Sequence, residues 1–187
     1  GGSVIVLNPQ NGQVLSLVSL PGYDNNIFAQ GIRGKEELAE YQKLLDDKNT
    51  PFLNRAISGT YPPGSTFKIV TASSVLENHI VTPTDRLEAP GQINIPNQFN
   101  PQESFVYKDW KPTGHGTISI IEAIAVSSDT FFYKVSGGFQ GFVGVGAEKI
   151  SEFASKFGLG KVLNIDLPGE QPGLVPTPEW KKDKIGQ

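Results

Sequence analysis

Ser65 and Lys68 stand three residues apart in Tyr61-Pro62-Pro63-Gly64-Ser65-Thr66-Phe67-Lys68-Ile69-Val70-Thr71, at a point where a helix is expected to begin. Pro62, Pro63 and Gly64 are poor helix-interior residues, whereas the stretch that follows, through Glu77, carries apolar Phe67, Val70, Ala72, Val75 and Leu76 and no breaker. Ser65 is therefore expected in the first turn, where unsatisfied backbone N–H groups and the positive end of the helix dipole favour developing negative charge. Side chains at i and i+3 have Cβ atoms about 5–6 Å apart, so the Lys68 amine can reach the Ser65 hydroxyl. A lysine pushed toward neutrality by burial can take the hydroxyl proton, leaving an alkoxide to attack a carbonyl carbon. Together these are the parts of an acylating site. Serine is also a favoured helix cap, and the bare Ser-x-x-Lys spacing recurs at ordinary solvated helix starts, so the eleven-residue context carries the distinction.

A second cluster lies 62 residues after Ser65, at Ser127-Ser128-Asp129. Ile118, Ile121 and Ala125 before it fall at helical spacing, and Thr130-Phe131-Phe132-Tyr133 follows, so the triplet reads as a short turn between two helices. Its residue types also suit simple helix capping.

The eleven-residue string resembles the nucleophile motif of the penicillin-binding proteins, serine acyltransferases that cross-link bacterial peptidoglycan and are acylated by β-lactams. The Ser127 triplet resembles that family's second motif, Ser-x-Asn, but departs from it by placing aspartate at 129. Class B penicillin-binding proteins of the cell-elongation type resemble this variant. The resemblance implies that Ser65 is the nucleophile, Lys68 the general base, Ser127 a proton relay, and Asp129 a contact for the substrate and the lysine. An ionised carboxylate only accepts hydrogen bonds, so Asp129 can pair with Lys68 where an asparagine cannot, and such a pair favours the protonated amine. Phe157-Gly158-Leu159-Gly160 and Ile165-Asp166-Leu167-Pro168-Gly169-Glu170 are similar to a run that follows the second motif in class B transpeptidases. Physically these residues read as a helix C-cap glycine, a short strand and a turn.

The family's third motif, Lys-Thr-Gly, does not occur; Lys184-Ile185-Gly186 lacks the hydroxyl that would bind a carboxylate. Without that motif, and without any methionine, the sequence is expected to be a piece of a longer chain. The fold implied is α/β (α+β), part of the penicillin-binding/β-lactamase-like architecture. On this reading residues 1–187 form an incomplete transpeptidase domain, with a β-hairpin at 1–20 and a mainly helical part at 21–187 that carries the first two motifs. The remaining sheet strands would lie outside the chain. The implied activity is serine D,D-transpeptidation of peptidoglycan stem peptides, with β-lactams as inhibitors and no cofactor. The chain alone would be a poor acyltransferase, because a second oxyanion donor is expected from the missing strands. A glycosyltransferase and other cell-wall assembly proteins are the implied partners of the full-length protein, which is expected outside the cytoplasm on a membrane anchor. Two alternatives stay open: a β-lactamase or β-lactam sensor of the class D type, and a non-catalytic transpeptidase-like scaffold.

Composition agrees with a globular piece. With 187 residues, 37% of them hydrophobic, and a formal charge of −3, the chain can bury a core and carries no basic footprint for nucleic acid. The lack of cysteine excludes disulfides and thiolate chemistry. His79 and His115 have no ligand spacing, so no metal site is expected. Residues 3–7 and 13–19 are β-rich runs around Asn8-Pro9-Gln10-Asn11-Gly12, a hairpin signature. Residues 35–48 predict a helix with Leu38, Tyr41, Leu44 and Leu45 on one stripe packed against the domain. Residues 88–113, rich in Pro, Gly, Asn and Gln, predict a long loop or small insertion near the site. The glycines of 137–146 connect helices expected at 130–135 and 147–157 and lack the lysine of a phosphate-binding loop.

Overall fold

The computed structural model describes residues 1–29, 31–97, 100 and 102–186, with the backbone alone at Ile185. The chain forms two compact units, Gly1–Tyr61 with Val162–Pro172, and Pro62–Lys161 with Gly173–Gln187. Among the described residues no helix is long and apolar enough to cross a membrane.

In the first unit, β1 (Gly2–Leu7) and β2 (Val14–Leu20) pair antiparallel from Gly2 opposite Leu20 to Leu7 opposite Val14. Asn8 N–H donates to Gln13 O, and Gly12, with φ +75°, donates to Asn8 O, each at 2.8 Å. That left-handed backbone is the reason for glycine at the turn. Helix α1 (Lys35–Leu45) has Glu36 and Glu37 in its first turn and Lys43 in its last, both favourable to the helix dipole. It ends before the expected residue 48, at Asp46. Its stripe packs only in part: the Tyr41 ring meets Phe28 and Phe52 at centroid distances of 5.9 and 5.8 Å, while Leu38 and Leu45 stay exposed. The short strand expected within 165–170 does not form. Instead Glu170 accepts from Leu163 N–H at 2.6 Å and Ile165 N–H at 3.2 Å, and Ser58 Oγ donates to Gly169 O at 2.6 Å. One carboxylate thus takes backbone donors that a strand would have given to a ladder.

The second unit opens with a 3₁₀ turn, Gly64–Phe67, that runs into α2 (Lys68–Glu77). Then come β3 (Arg86–Ala89), β4 (Gln92–Pro96), β5 (Ser104–Lys108), β6 (Gly116–Ser119), α3 (Ile120–Ala125), α4 (Asp129–Gly137), α5 (Ala147–Lys156) and α6 (Pro178–Ile185). β3 pairs with β6 and β4 with β5, both antiparallel. Within the stretch expected as a long loop or small insertion at 88–113, twelve residues are strand: the end of β3, all of β4 and all of β5. In β4 Ile93 and Ile95 alternate with Gln92, Asn94 and Pro96, whereas β5 is the unbroken run Phe105-Val106-Tyr107 between Ser104 and Lys108, and both signals are obscured by the Pro, Asn and Gln around them. Gln98, Phe99 and Pro101, also in that stretch, lie outside the described residues.

Ile118, expected at helical spacing, sits in β6 and is buried. The helix starts two residues later because Ser119 and Glu122 form a reciprocal capping box. Behind it α2, α3 and α4 share a core of Val75, Ile120, Ala123, Phe131, Phe132 and Val135. Each of the larger side chains contributes about 1.5–3 kcal/mol by burial. Phe153 and Ala154 of α5 pack on Val70 of α2. At the end of α5, Gly158 (φ +84°) donates to Ser155 O and Leu159 N–H to Ala154 O, the double bond of a Schellman cap. This core fixes α2 against the start of α4, which is the geometry the two motifs share.

Candidate active site

Pro62-Pro63 delivers the chain to Gly64, whose φ of +59° turns it into the 3₁₀ segment. Ser65 lies in that exposed segment, one step before α2 rather than inside its first α-helical turn. No side chain caps the turn, so its leading N–H groups are left for another acceptor. Thr66 Oγ1 donates to Pro63 O at 2.6 Å and tightens the bend.

Lys68 opens α2, and its side chain is only 13% exposed. Its Nζ donates to Ser127 O at 2.7 Å, to Ser127 Oγ at 3.0 Å and to Asp129 Oδ1 at 2.6 Å. The Phe132 ring centroid lies 5.8 Å away on the apolar side. Three acceptors are the number an ammonium can serve. In this arrangement Ser65 Oγ is not one of them, although both side chains issue from the same bend.

The acceptors come from the corner between α3 and α4. Helix α3 closes with Val126 N–H to Glu122 O at 2.9 Å, Ser127 N–H to Ile124 O at 3.2 Å and Ser128 N–H to Ala123 O at 3.0 Å. Ser127 then adopts φ +54°, a left-handed conformation that costs a non-glycine residue about 1–3 kcal/mol. The result is that its carbonyl and its hydroxyl face the same amine. Ser128 caps α4, accepting from Phe131 N–H at 3.3 Å, and Asp129 begins the helix.

Beneath the corner lies a carboxylate that the sequence reading passed over. Asp109 follows β5 and its side chain has no solvent exposure. Its Oδ2 accepts from Ser128 Oγ at 2.9 Å, Asp129 N–H at 2.8 Å and Thr130 N–H at 3.1 Å. Its Oδ1 accepts from Lys111 N–H at 3.1 Å and lies 3.0 Å from His115 Nε2. Burial opposes ionisation, but the hydrogen bonds from Lys111, Thr130, Ser128 and His115 outweigh it and hold the carboxyl well below the usual carboxylate range. His115, read from sequence as a loop or helix-end histidine, is 6% exposed and faces this carboxylate. Trp110 completes the corner: its Nε1 donates to Val126 O at 3.0 Å while most of its ring stays in solvent. No spacing links Asp109 to Ser128 in the sequence; the β5–β6 loop packs closely on Gly91 through Pro112 and Gly114, and Asp109 N–H donates to Gly91 O at 2.9 Å.

Lys68, Ser127 and Asp129 thus converge on one point, and exposed Ser65 lies three residues before Lys68 with its carbonyl accepting the Lys68 N–H, all within the second unit. The penicillin binding protein transpeptidase domain family matches residues 2–187. Peptidoglycan D,D-transpeptidase MrdA of Escherichia coli K12 is 40% identical over 183 residues, covering 98% of this chain and 26% of MrdA. Among solved structures, Pseudomonas aeruginosa PBP2 in complex with WCK 5153 aligns with a TM-score of 0.83 at 36% identity, over 100% of this chain and 39% of that one. PBP2 from Helicobacter pylori, in its complex with MreC, gives a TM-score of 0.85 at 34% identity, over 100% of this chain and 32% of that one. The chain spans about a quarter of the length of the curated relatives it matches, with 26% coverage of MrdA. On the match across 2–187 and these identities, the chain belongs to the penicillin-binding protein transpeptidase family.

Proposed function

We propose that the whole protein is a serine D,D-transpeptidase that cross-links peptidoglycan stem peptides outside the cytoplasm and is inhibited by β-lactams. The observation that carries this is the convergence of Lys68 Nζ on Ser127 and Asp129 beside an exposed, uncapped serine turn. Ser65 Oγ attacks the penultimate D-Ala carbonyl while its proton passes to a neutral Lys68. The oxyanion forms near the free N–H groups at the start of the 3₁₀ turn, the Ser65 N–H among them. As the intermediate collapses, Ser127 Oγ hands the leaving nitrogen a proton supplied by Lys68, and the terminal D-Ala departs. A neighbouring strand's amine then attacks the ester, forming the new amide and restoring the Ser65 hydroxyl. Asp129 orients Lys68 through their 2.6 Å contact and can accept from the substrate amide.

The absence of Lys-Thr-Gly from these residues supports a finer statement: the 187-residue chain alone is a poor acyltransferase. We place the full-length protein on a membrane anchor with cell-wall assembly partners, a glycosyltransferase among them. The relatives solved with MreC and within a peptidoglycan synthase complex support cell-wall assembly partners in general. The test is labelling with a fluorescent penicillin. Full-length protein is expected to label and Ser65→Ala to remain dark, with the 187-residue chain labelling slowly at best. Equal labelling of Ser65→Ala would sink the assignment of the nucleophile; rapid Ser65-dependent labelling of the short chain would sink the claim that more of the domain is required.

A further inference from the structure

We propose that Asp109 is a positioning residue for this reaction: braced by His115, its carboxylate holds the Ser127-Ser128-Asp129 corner so that Ser127 and Asp129 meet Lys68 together. The inference rests on the transpeptidase reading of Ser65 and Lys68. Asp109 is fully buried and bonds to none of the four side chains assigned to the reaction, so it acts only through the backbone and Ser128. Its two oxygens divide the work. Oδ2 gathers Ser128 Oγ and the N–H groups of Asp129 and Thr130, which are the donors at the start of α4. Oδ1 is tied to the β5–β6 loop through Lys111 N–H and His115 Nε2. The Thr130 hydroxyl has one proton, and its shorter contact, 2.7 Å to Pro90 O against 3.2 Å to Asp109, takes it away from the carboxylate. An anion at the end of the helix dipole that bears free N–H groups is favourable in itself.

Asp129 is consequently held at both ends, by its N–H to Asp109 Oδ2 and by its carboxylate to Lys68. Ser127 sits one residue before the anchored Ser128 in a left-handed conformation that an unrestrained serine would leave. If Oδ2 is lost, three donors at the head of α4 lose their shared acceptor and the corner can relax. The two acceptors that Ser127 offers Lys68 would then part. A shift of about 1 Å in such a constellation is enough to cost about 100-fold in rate.

An ordinary helix cap would also stabilise α4, so the experiment must separate the two roles. In the full-length protein, stopped-flow acylation by a β-lactam yields the acylation rate constant for each titrated active site, and the burst amplitude counts the sites. Asp109→Asn is expected to lower the rate constant by about 10- to 100-fold while the amplitude and the non-covalent dissociation constant stay near wild type. His115→Phe is expected to lower it as well, and His115→Gln, which keeps an N–H donor toward Oδ1, to restore most of the loss. Because Asp109→Asn can lose folded protein, the His115 pair reads the same claim from a milder change. An unchanged rate constant per site, with only amplitude or Tm reduced, would overturn the proposal. Wild-type protein that no β-lactam labels would overturn the transpeptidase reading instead. Positioning is then judged by amide hydrogen exchange at Asp129 and Thr130. Faster exchange in Asp109→Asn and His115→Phe, reversed in His115→Gln, upholds it, and unchanged exchange overturns it.

Discussion

In the proposed mechanism Lys68 is asked to do two things that conflict, and its contacts bear on both. As a base it must present a lone pair to Ser65, yet its Nζ has three protein acceptors within 3.0 Å and a ring at 5.8 Å on its apolar side. Two of those acceptors belong to Ser127, the residue proposed to receive the proton next, so the proton's route is already a hydrogen bond. Arginine at 68 separates charge from proton transfer, because a guanidinium can keep the ion pair with Asp129 but does not deprotonate in proteins. Lys68→Arg is therefore expected to reduce β-lactam acylation by about 10²- to 10⁴-fold, the range of a lost general base. Its thermal unfolding should stay close to wild type. Acylation within a few-fold of wild type in Lys68→Arg would show that Lys68 acts as a charge and not as a proton acceptor.

At the scale of elements, the β5–β6 loop and the α3–α4 corner are one assembly joined through Asp109, and the joint depends on pH with a definite sign. The Asp109 carboxyl is depressed in the folded protein because buried hydrogen bonds outweigh burial, while in the unfolded chain it returns to about 3.9. A depressed carboxylate stabilises the fold at pH above the unfolded value, and that contribution is lost as pH falls below it toward the folded value. Stability should therefore drop from about pH 4 downward, and Asp109→Asn, though less stable at neutral pH, should show a shallower drop over that acid range. Urea unfolding of both proteins between pH 7 and pH 2.5 measures this, and parallel curves would remove Asp109 from the acid response. This joint was the part of the site least legible in the sequence. Ser65 and Lys68 could be picked out from their i, i+3 spacing and Ser127 and Asp129 from their resemblance to a family motif, since the 59 and 61 positions that separate the latter two from Lys68 carry no spacing signal of their own. Asp109 reaches Ser128 across 19 positions, through strand pairing hidden in a Pro- and Asn-rich stretch. Likewise the helical spacing of Ile118 and Ile121 misled, since Ser119 caps the helix between them.

For the molecule as a whole, the hairpin raises the sharpest question. The turn residues and β-branched runs made β1 and β2 readable in advance, but their apolar side chains are left uncovered: Val4, Ile5, Leu7, Leu15 and Leu20 are all exposed, Leu15 by 64%. Two strands alone offer no layer to bury against, and exposed apolar side chains on both faces of a hairpin, Val4 and Leu20 on one and Ile5 and Leu7 on the other, favour being covered. The chain spans 26% of MrdA, and a full-length protein of that size would have sequence with which to cover them. If that is so, the 187-residue chain and the full-length protein should differ at this hairpin. The chain alone is expected to bind the dye ANS more strongly per molecule and to self-associate as its concentration rises, with Leu15→Lys weakening both effects. In the full-length protein Leu15→Lys should instead destabilise, because a lysine would be forced into a covered face at a cost of several kcal/mol unless its charge finds a partner or escapes to water. Weak ANS binding by the short chain together with a neutral Leu15→Lys in the full-length protein would mean that the hairpin faces solvent in both.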